Sequence, residues 1–321
     1  MIGVVCLNPA LDITYHVPAV DWAGTNRPSA VYARPGGKGL NVARTLHSLG
    51  ADVLAMGLAG GVTGAEVAVA LSELGVPAEI TQIAEQTRRT VTIVDGRGDV
   101  AAFNEPGPRI AAAEFADFAA RYAKAVTRCT AVVLSGSLPP GLPADSYAAL
   151  IEMTTAAGVP AVLDTSGAAL ALGVAARPAI VKPNLSELQA LPGRPLVTGQ
   201  GTDLEAVAAA ADELRAAGAQ AVVVSLGPDG LLAATADGRW HAFPPGAVAG
   251  NATGAGDAVA AGLAHALVRG LPWDERLRHA VALGTAAVAA PRAGEFSTDD
   301  YTSGLAKVTV RRDPVLRDGA R

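Results

Sequence analysis

The most informative stretch of the sequence reads Gly250-Asn-Ala-Thr-Gly-Ala-Gly-Asp257, and an apolar helical run at 259–268 follows it. Gly254 and Gly256 let backbone N–H groups converge without a Cβ atom in the way, and the dipole of the following helix adds positive potential. The turn is therefore predicted to hold a phosphoryl group. Asp257 is either a favourable first-turn acid or N-cap, or a base beside a transferring phosphate. Its position directly after the glycines favours the base.

Outside this turn, short β-branched runs alternate with segments that carry apolar residues every three or four positions. The runs predict buried strands at 2–6, 53–57, 131–135, 160–164, 179–181 and 221–225. The segments between them predict helices at 40–49, 65–74, 114–126, 146–156 and 204–216. A repeated strand–helix order predicts an α/β fold with a central, mostly parallel sheet flanked by helices.

Two stretches break this alternation, at 11–34 and 88–105. Alternating residues and the Asp95-Gly96 turn predict strands paired antiparallel, most clearly as a hairpin. These strands are expected to form a small β-sheet lid beside the main sheet. Because no fixed-period repeat and no low-complexity linker divides the chain, we expect one domain over 1–321 with a discontinuous lid and a C-terminal tail at 308–321.

Composition excludes several classes of protein. The chain has 321 residues, half of them apolar, which is enough to bury a large core. A net charge of -5 without a long basic run excludes the electrostatic footprint of a nucleic-acid binder. Cys6 and Cys129 lie in apolar runs and are predicted to be buried thiols. Neither a signal peptide nor a membrane span is expected, and a cytoplasmic location fits best.

A second glycine-rich turn reads Gly36-Gly-Lys-Gly-Leu-Asn-Val-Ala43 and runs from a loop into a helix. It offers backbone donors, one cation and one amide on a single turn. A Walker A loop is excluded because Lys38 is followed by Gly39 instead of Ser or Thr. The alternative is a tight turn with a solvated lysine. Upstream, Asp12 lies near the end of the first strand, where ligands of parallel sheets usually bind. It is therefore a candidate ligand-binding carboxylate, and the alternative is that it only shapes a turn.

Several separated motifs stand out along the chain: Asn8 to Asp12, Gly36 to Ala43, Gly136-Ser-Leu-Pro-Pro-Gly141, Lys182-Pro-Asn-Leu-Ser-Glu187, Ser225-Leu-Gly-Pro-Asp-Gly230 and Gly254-Ala-Gly-Asp257. Together they resemble the pfkB-type sugar kinases of the ribokinase-like fold. They span nearly the whole chain in order. The second and third are similar to the 1-phosphofructokinase and tagatose-6-phosphate kinase branch of the family.

The resemblance implies ATP-dependent phosphorylation of a ketohexose phosphate, with fructose 1-phosphate converted to the 1,6-bisphosphate as the first expectation. A tagatose-6-phosphate kinase, a 6-phosphofructokinase and a kinase of an unphosphorylated sugar are alternatives. A non-catalytic sugar-phosphate sensor would need no base, and the presence of Asp257 argues against it. A nicotinamide-dependent oxidoreductase is the remaining α/β alternative.

The resemblance also implies roles for individual residues. Asp257 becomes the general base, and the amides of Ala255, Gly256 and Asp257 become the anion hole, with Gly254 in the same catalytic turn. Sugar hydroxyls are assigned to Asp12, Gly37 and Asn41. Four residues become candidates for the phosphate already on the sugar: Lys38, Arg88, Ser137 and Arg27. For two of them a simpler alternative stays open, since Ser137 caps a turn equally well and Arg27 is otherwise an exposed lid residue.

On the nucleotide side, the resemblance assigns ATP to five residues: Lys182, Asn184, Ser225, Gly227 and Gly230. Asn184 and Glu187 are expected to hold Mg²⁺ largely through water, which suits an ion that dehydrates reluctantly. A helix cap is the alternative for this pair. The lid of related kinases also implies a homodimer, in which Arg27 reaches into the neighbouring subunit.

The chain departs from the branch in two places. Thr87-Arg88-Arg89-Thr90 stands where a hydrophobe and an asparagine usually follow Thr-Arg, which leaves substrate choice open. The segment 290–295 also replaces a Pro-Gly-Thr-like loop.

Overall fold

Burial explains why the β-branched runs form strands. Strand β1 is buried along its whole length, as expected for a strand that is covered on both faces. This computed structural model describes all residues except 191–196, 199–200, 247, 249, 251, 291, 293 and 313–321. The strands of the described part are β1 Ile2–Cys6, β2 Ala10–His16, β3 Ala30–Gly36, β4 Val53–Gly60, β5 Ala78–Ile83, β6 Arg88–Val94, β7 Val100–Asn104, β8 Ala131–Ser135, β9 Ala161–Asp164, β10 Ile180–Val181, β11 Val197–Thr198, β12 Gly201–Thr202, β13 Val222–Ser225, β14 Leu231–Thr235, β15 Gly238–Phe243 and β16 Thr309–Arg312.

Every helix predicted from the apolar periodicity is present in the described part of the chain. The helices of the described part are α1 Lys38–Ser48, α2 Gly61–Glu73, α3 Ala112–Val126, α4 Ser146–Ala156, α5 Gly167–Ala175, α6 Leu185–Gln189, α7 Leu204–Ala217, α8 Ala255–Val268, α9 Trp273–Ala289 and α10 Thr298–Leu305. One apolar cluster packs α1, α2, α8 and α9 onto one face of the main sheet. A second cluster packs α3, α4, α5 and α7 onto the other face. The predicted α/β fold with helices on both faces is confirmed.

The main sheet has ten strands in the order β16-β15-β14-β13-β10-β9-β8-β1-β4-β5. In this spatial order, all neighbouring strands between β13 and β5 pair parallel. The strands β14, β15 and β16 extend the sheet by antiparallel pairing. This extension corrects the expected tail, because 309–312 pair with β15 instead of lying free on the surface. The rest of the expected tail, 313–321, lies outside the described residues.

A second sheet of four strands has the order β3-β2-β6-β7. As the hairpin pattern predicts, β6 pairs antiparallel with β7, and β2 with β3. The two pairs join through a parallel pairing of β2 with β6, which local patterns do not reveal. This pairing sets Arg88 opposite Ala10, directly beside the end of β1.

Both cysteines are buried and free, as expected. None of the helices in the described ranges has the length and apolar character needed to cross a membrane.

Candidate active site

The main cavity, of about 1210 Å³, opens where the parallel strands of the main sheet end beside the four-stranded sheet. Carboxyl ends of parallel strands are the usual ligand-binding edge of such folds. Most of the residues singled out from the sequence line this cavity: Asp12, Gly37, Lys38, Asn41, Arg88, Ser137, Lys182, Asn184, Ser225, Gly227, Gly230, Gly254, Ala255, Gly256 and Asp257. Arg27 does not line it and is exposed between β2 and β3. Glu187 is also absent from the lining but contacts Lys38.

Asp257 lies in the first turn of α8 and is only 5% exposed. Its Oδ2 atom accepts a hydrogen bond of 2.9 Å from Nδ2 of Asn41. Burial raises the pKa of Asp257 to about 7, and the negative charge of Asp164 adds to this effect. Asn41, Lys38 and Lys182 act in the opposite direction. A carboxylate with a pKa near neutrality is suited to accept a proton from an alcohol.

The helix that carries Asp257 begins at a left-handed residue, Gly254, with φ of +85°. Glycine adopts this conformation without the steric cost of a side chain. The amide of Ala255 donates to the carbonyl of Ala252 at 3.1 Å, so it closes the turn. Gly256 and Asp257 follow in the first helical turn, where amides have no intrahelical acceptor. An anion at this turn would therefore meet the amides of these two residues before that of Ala255.

A buried carboxylate and two lysines lie beside this turn. Asp164 ends β9 and is fully buried, and its Oδ1 atom lies 3.3 Å from Nζ of Lys182 and 3.7 Å from Nζ of Lys38. Among the described residues, this oxygen has no hydrogen-bond partner of good geometry. Lys38 also reaches Oε1 of Glu187 at 3.2 Å. Two cations thus converge between α1 and α8, close to where the glycine-rich turn would hold a phosphoryl group.

At the other end of the cavity, the four-stranded sheet contributes Asp12 and Arg88. Burial raises the pKa of Asp12, while a hydrogen bond from Thr90 and the charge of Arg88 lower it. Arg88 donates to the main-chain carbonyl of Asn8 through Nε at 3.3 Å and Nη2 at 3.2 Å. Thr90 occupies the position at which the related branch usually has an asparagine. Its hydroxyl therefore stands in place of that substrate-facing amide.

Asn184 and Glu187 form a capping box at the start of α6. Oδ1 of Asn184 accepts from the amide of Glu187 at 2.7 Å and from the hydroxyl of Ser186 at 2.7 Å. Oε2 of Glu187 accepts from the amide of Asn184 at 2.9 Å. The pair therefore forms the helix cap that the sequence left as an alternative. The other oxygen of Glu187, Oε1, contacts Lys38.

Comparison with known proteins identifies the family. The model of the pfkB family of carbohydrate kinases matches residues 5–300. This chain belongs to the pfkB family. It is 40% identical over 270 residues to the 1-phosphofructokinase of Xanthomonas campestris pv. campestris, covering 82% of this chain and 83% of the relative. Identity to the 1-phosphofructokinase of Rhodobacter capsulatus is 38% over 289 residues, covering 89% and 90%.

Solved structures support the same assignment for the fold. Phosphofructokinase-2 from Escherichia coli, crystallised in complex with potassium, superposes with a TM-score of 0.87 at 31% identity. The match covers 95% of this pfkB-family chain and 98% of the other. The expected ribokinase-like fold and pfkB family are thereby confirmed.

Sequence reasoning missed two buried charges of this pfkB site. Asp164 directly ends a predicted strand, so the edge rule that pointed to Asp12 also applied to it. Arg44 is 6% exposed and donates through Nη1 to Oδ1 of Asn41 at 3.4 Å. Burial lowers the pKa of Arg44 to about 10, and the charges of Arg34 and Arg292 contribute. No sequence signal distinguishes Arg44 from an exposed helical arginine.

Proposed function

We propose that this pfkB-family chain transfers a phosphoryl group from ATP to a hydroxyl of fructose 1-phosphate, yielding fructose 1,6-bisphosphate. The observation that carries the proposal is the position of Asp257, a buried carboxylate in the first turn of α8, inside a cavity that Lys38, Lys182 and Arg88 also line. Two relatives of about 40% identity are 1-phosphofructokinases, which supports a fructose phosphate as the acceptor.

In this proposal Asp257 accepts the proton of the attacking hydroxyl. Asn41 donates to Oδ2 and so leaves Oδ1 for that proton. The first-turn amides of α8, together with Lys38 and Lys182, would stabilise the negative charge of the transferring group, which in phosphoryl transfer is spread over the equatorial oxygens. Lys38 contacts Asp164 and Glu187, which favours this role over the one at the substrate's own phosphate.

Mg²⁺ fits the donor set beside these lysines. Among the described residues no group of three or more His, Cys, Asp or Glu side chains is placed to hold a metal ion alone. Mg²⁺ in kinases typically uses one or two carboxylates together with nucleotide phosphates and water. Oδ1 of Asp164, which has ion pairs with two lysines but no hydrogen bond, and the carboxylate of Glu187 supply such oxygens. Asn184 would act through water because its own oxygen is engaged. The bound ion would supply charge neutralisation.

At the sugar end, Asp12 and Gly37 are proposed to contact hydroxyls, and Arg88 with Ser137 to contact the phosphate already on the sugar. The four-stranded sheet would act as a lid over this end. At the opposite end Ser225, Gly227 and Gly230 are proposed to contact ATP. Ser225 lies in a β-bridge with Asn184, which brings the two nucleotide-side motifs together.

A homodimer through the lid is also proposed. Apolar side chains on and beside the lid are exposed, including Val31, Val100, Phe103 and Trp22. Escherichia coli phosphofructokinase-2 has a tetrameric inhibited form, so assembly occurs in a structural neighbour. The cytoplasmic location expected from the sequence stays a prediction.

An ADP-release assay against a panel of sugars and sugar phosphates tests the proposal. We expect the highest kcat/KM with fructose 1-phosphate, and activity that requires ATP and a divalent cation. A higher kcat/KM with tagatose 6-phosphate or fructose 6-phosphate would move the assignment within the family. Equal turnover of free fructose would contradict the proposed contacts to the phosphate of the substrate. Absence of ADP release with every sugar would contradict the kinase assignment itself.

A further inference from the structure

Asn8 is a buried polar residue that the proposed reaction does not use. It lies just after β1, is 5% exposed and lines the main cavity. Its Nδ2 atom donates to the carbonyl of Pro106 at 3.1 Å and to Oγ of Ser137 at 3.1 Å. Its main-chain carbonyl accepts from Arg88. One residue therefore touches both groups proposed to bind the phosphate of the substrate.

The carbonyl of Pro106 determines which way the Asn8 amide faces. A carbonyl only accepts hydrogen bonds, so the reversed amide would set two acceptors against each other. The Nδ2 group consequently faces Pro106 and Ser137. Because Oγ of Ser137 accepts from Asn8, the hydroxyl hydrogen of Ser137 is left to donate elsewhere. Phosphate oxygens need donors, and Ser137 lines the cavity.

Gly107 packs against the oxygen side of the same amide. Oδ1 of Asn8 is buried and, within the described ranges, has no hydrogen-bond partner. A Cβ atom at Gly107 would lie 2.3 Å from this oxygen, and Gly107 has φ of +102°, where other residues are strained. Glycine at 107 therefore allows the chain leaving β7 to pack directly against Asn8. The end of the four-stranded sheet and the Ser137 loop are thus held by the same side chain.

Arg88 lies next to this amide without a direct ion pair, although its charge lowers the pKa of the nearby Asp12. Its guanidinium donates to the main-chain carbonyls of Asn8 and Glu105, the latter at 3.3 Å. In the part of the chain that the structure describes, no carboxylate lies within salt-bridge distance of Arg88. Neutral carbonyls orient the guanidinium but leave its charge available for an anion.

We propose that Asn8 is a positioning residue for the phosphate that the substrate already carries. Its side chain makes the Ser137 hydroxyl a donor, and its carbonyl holds Arg88 in place beside that hydroxyl. This inference rests on the proposed function, in which Ser137 and Arg88 bind that phosphate.

Steady-state kinetics of a double-mutant cycle tests the inference. Asn8→Leu keeps the branching at Cγ and removes both hydrogen bonds. We expect the KM for fructose 1-phosphate to rise about tenfold, since a charge-assisted contact weakens. The kcat and the KM for ATP should stay within about twofold of the wild type. Ser137→Ala should raise the same KM, and adding Asn8→Leu to it should change little, because Asn8 acts through that hydroxyl.

A second variant and a control separate positioning from folding. Asn8→Asp has nearly the same shape but accepts from Ser137 and turns the hydroxyl away, so it should raise the KM for fructose 1-phosphate at least as much. The control Thr154→Val removes a buried hydroxyl that contacts Leu150 and Tyr122 in the helical layer. It should lower the melting temperature and leave both KM values unchanged.

Two outcomes overturn the role of Asn8. One is an unchanged KM for fructose 1-phosphate in Asn8→Leu and Asn8→Asp. The other is full additivity of Asn8→Leu with Ser137→Ala while Ser137→Ala alone raises the KM. A different result marks failure of the proposed function: if Arg88→Ala and Ser137→Ala both leave that KM unchanged, the phosphate contacts are wrong, and the role of Asn8 falls with them.

Discussion

Different kinds of residue line the two ends of the cavity. The proposed sugar end consists of charged and polar side chains, among them Asp12 and Arg88, that come from the four-stranded sheet and from the ends of β1 and β8. The proposed nucleotide end is lined by turn glycines, such as Gly227 and Gly230, and by apolar side chains, such as Leu226 and Val288. Asp257, Asp164, Lys38 and Lys182 lie where the ends meet.

This difference suggests how binding and specificity are divided. Backbone donors and close approaches suit a triphosphate that many kinases share, whereas side chains on strands allow one sugar to be chosen over another. Substitutions at the sugar end should therefore change the KM for the sugar phosphate alone. Substitutions at the junction should change kcat. The predictions below test that division.

The largest effect is expected at the junction, from Asp257→Asn. Asparagine has nearly the same shape but cannot accept the proton of the attacking hydroxyl. We expect kcat to fall by about 10²-fold or more, with ATP affinity retained. Turnover assays and nucleotide titration would check this. A variant that keeps more than about a tenth of wild-type kcat would show that Asp257 is not the base.

The pH dependence of kcat/KM should report the same carboxylate. The base works deprotonated, and burial raises the pKa of Asp257 to about 7. Activity should therefore be full above this pH and fall about tenfold per unit below it. Asp164→Asn removes a neighbouring negative charge that raises this pKa, so the acid limb should move to lower pH. If the acid limb stays in place or moves to higher pH, it does not report the titration of Asp257.

The sequence was sufficient to locate the glycine-rich turns and strand ends, because each carries a local signal. Gly254 to Asp257 and Gly36 to Asn41 were therefore found in advance. Asp164 was missed because its importance comes from Lys38 and Lys182, which belong to elements far away in the chain. The parallel pairing of β2 with β6 escaped for the same reason, since hydrophobic alternation predicts a strand but not its partner.

A smaller effect is expected at the sugar end, from Arg88→Ala. Loss of a guanidinium beside the proposed phosphate position should raise the KM for fructose 1-phosphate about tenfold, with the KM for ATP unchanged. Arg89→Ala is the matched control, because neighbouring residues of a strand point to opposite faces and Arg89 is exposed. If both variants raise the KM equally, the effect reflects net charge of the lid and not a placed contact.

The smallest effect is expected from Arg27→Ala. Arg27 is exposed between β2 and β3 and does not line the cavity of its own chain, so kcat/KM should stay within about twofold of the wild type. A KM for fructose 1-phosphate that rises about as much as in Arg88→Ala would contradict this and would show that the sugar end is completed by a second copy of the chain. Light scattering at the assay concentration, with the same assay on diluted enzyme, distinguishes the two cases: a contact supplied by a neighbour disappears on dissociation, and the wild type then acquires the KM of the variant.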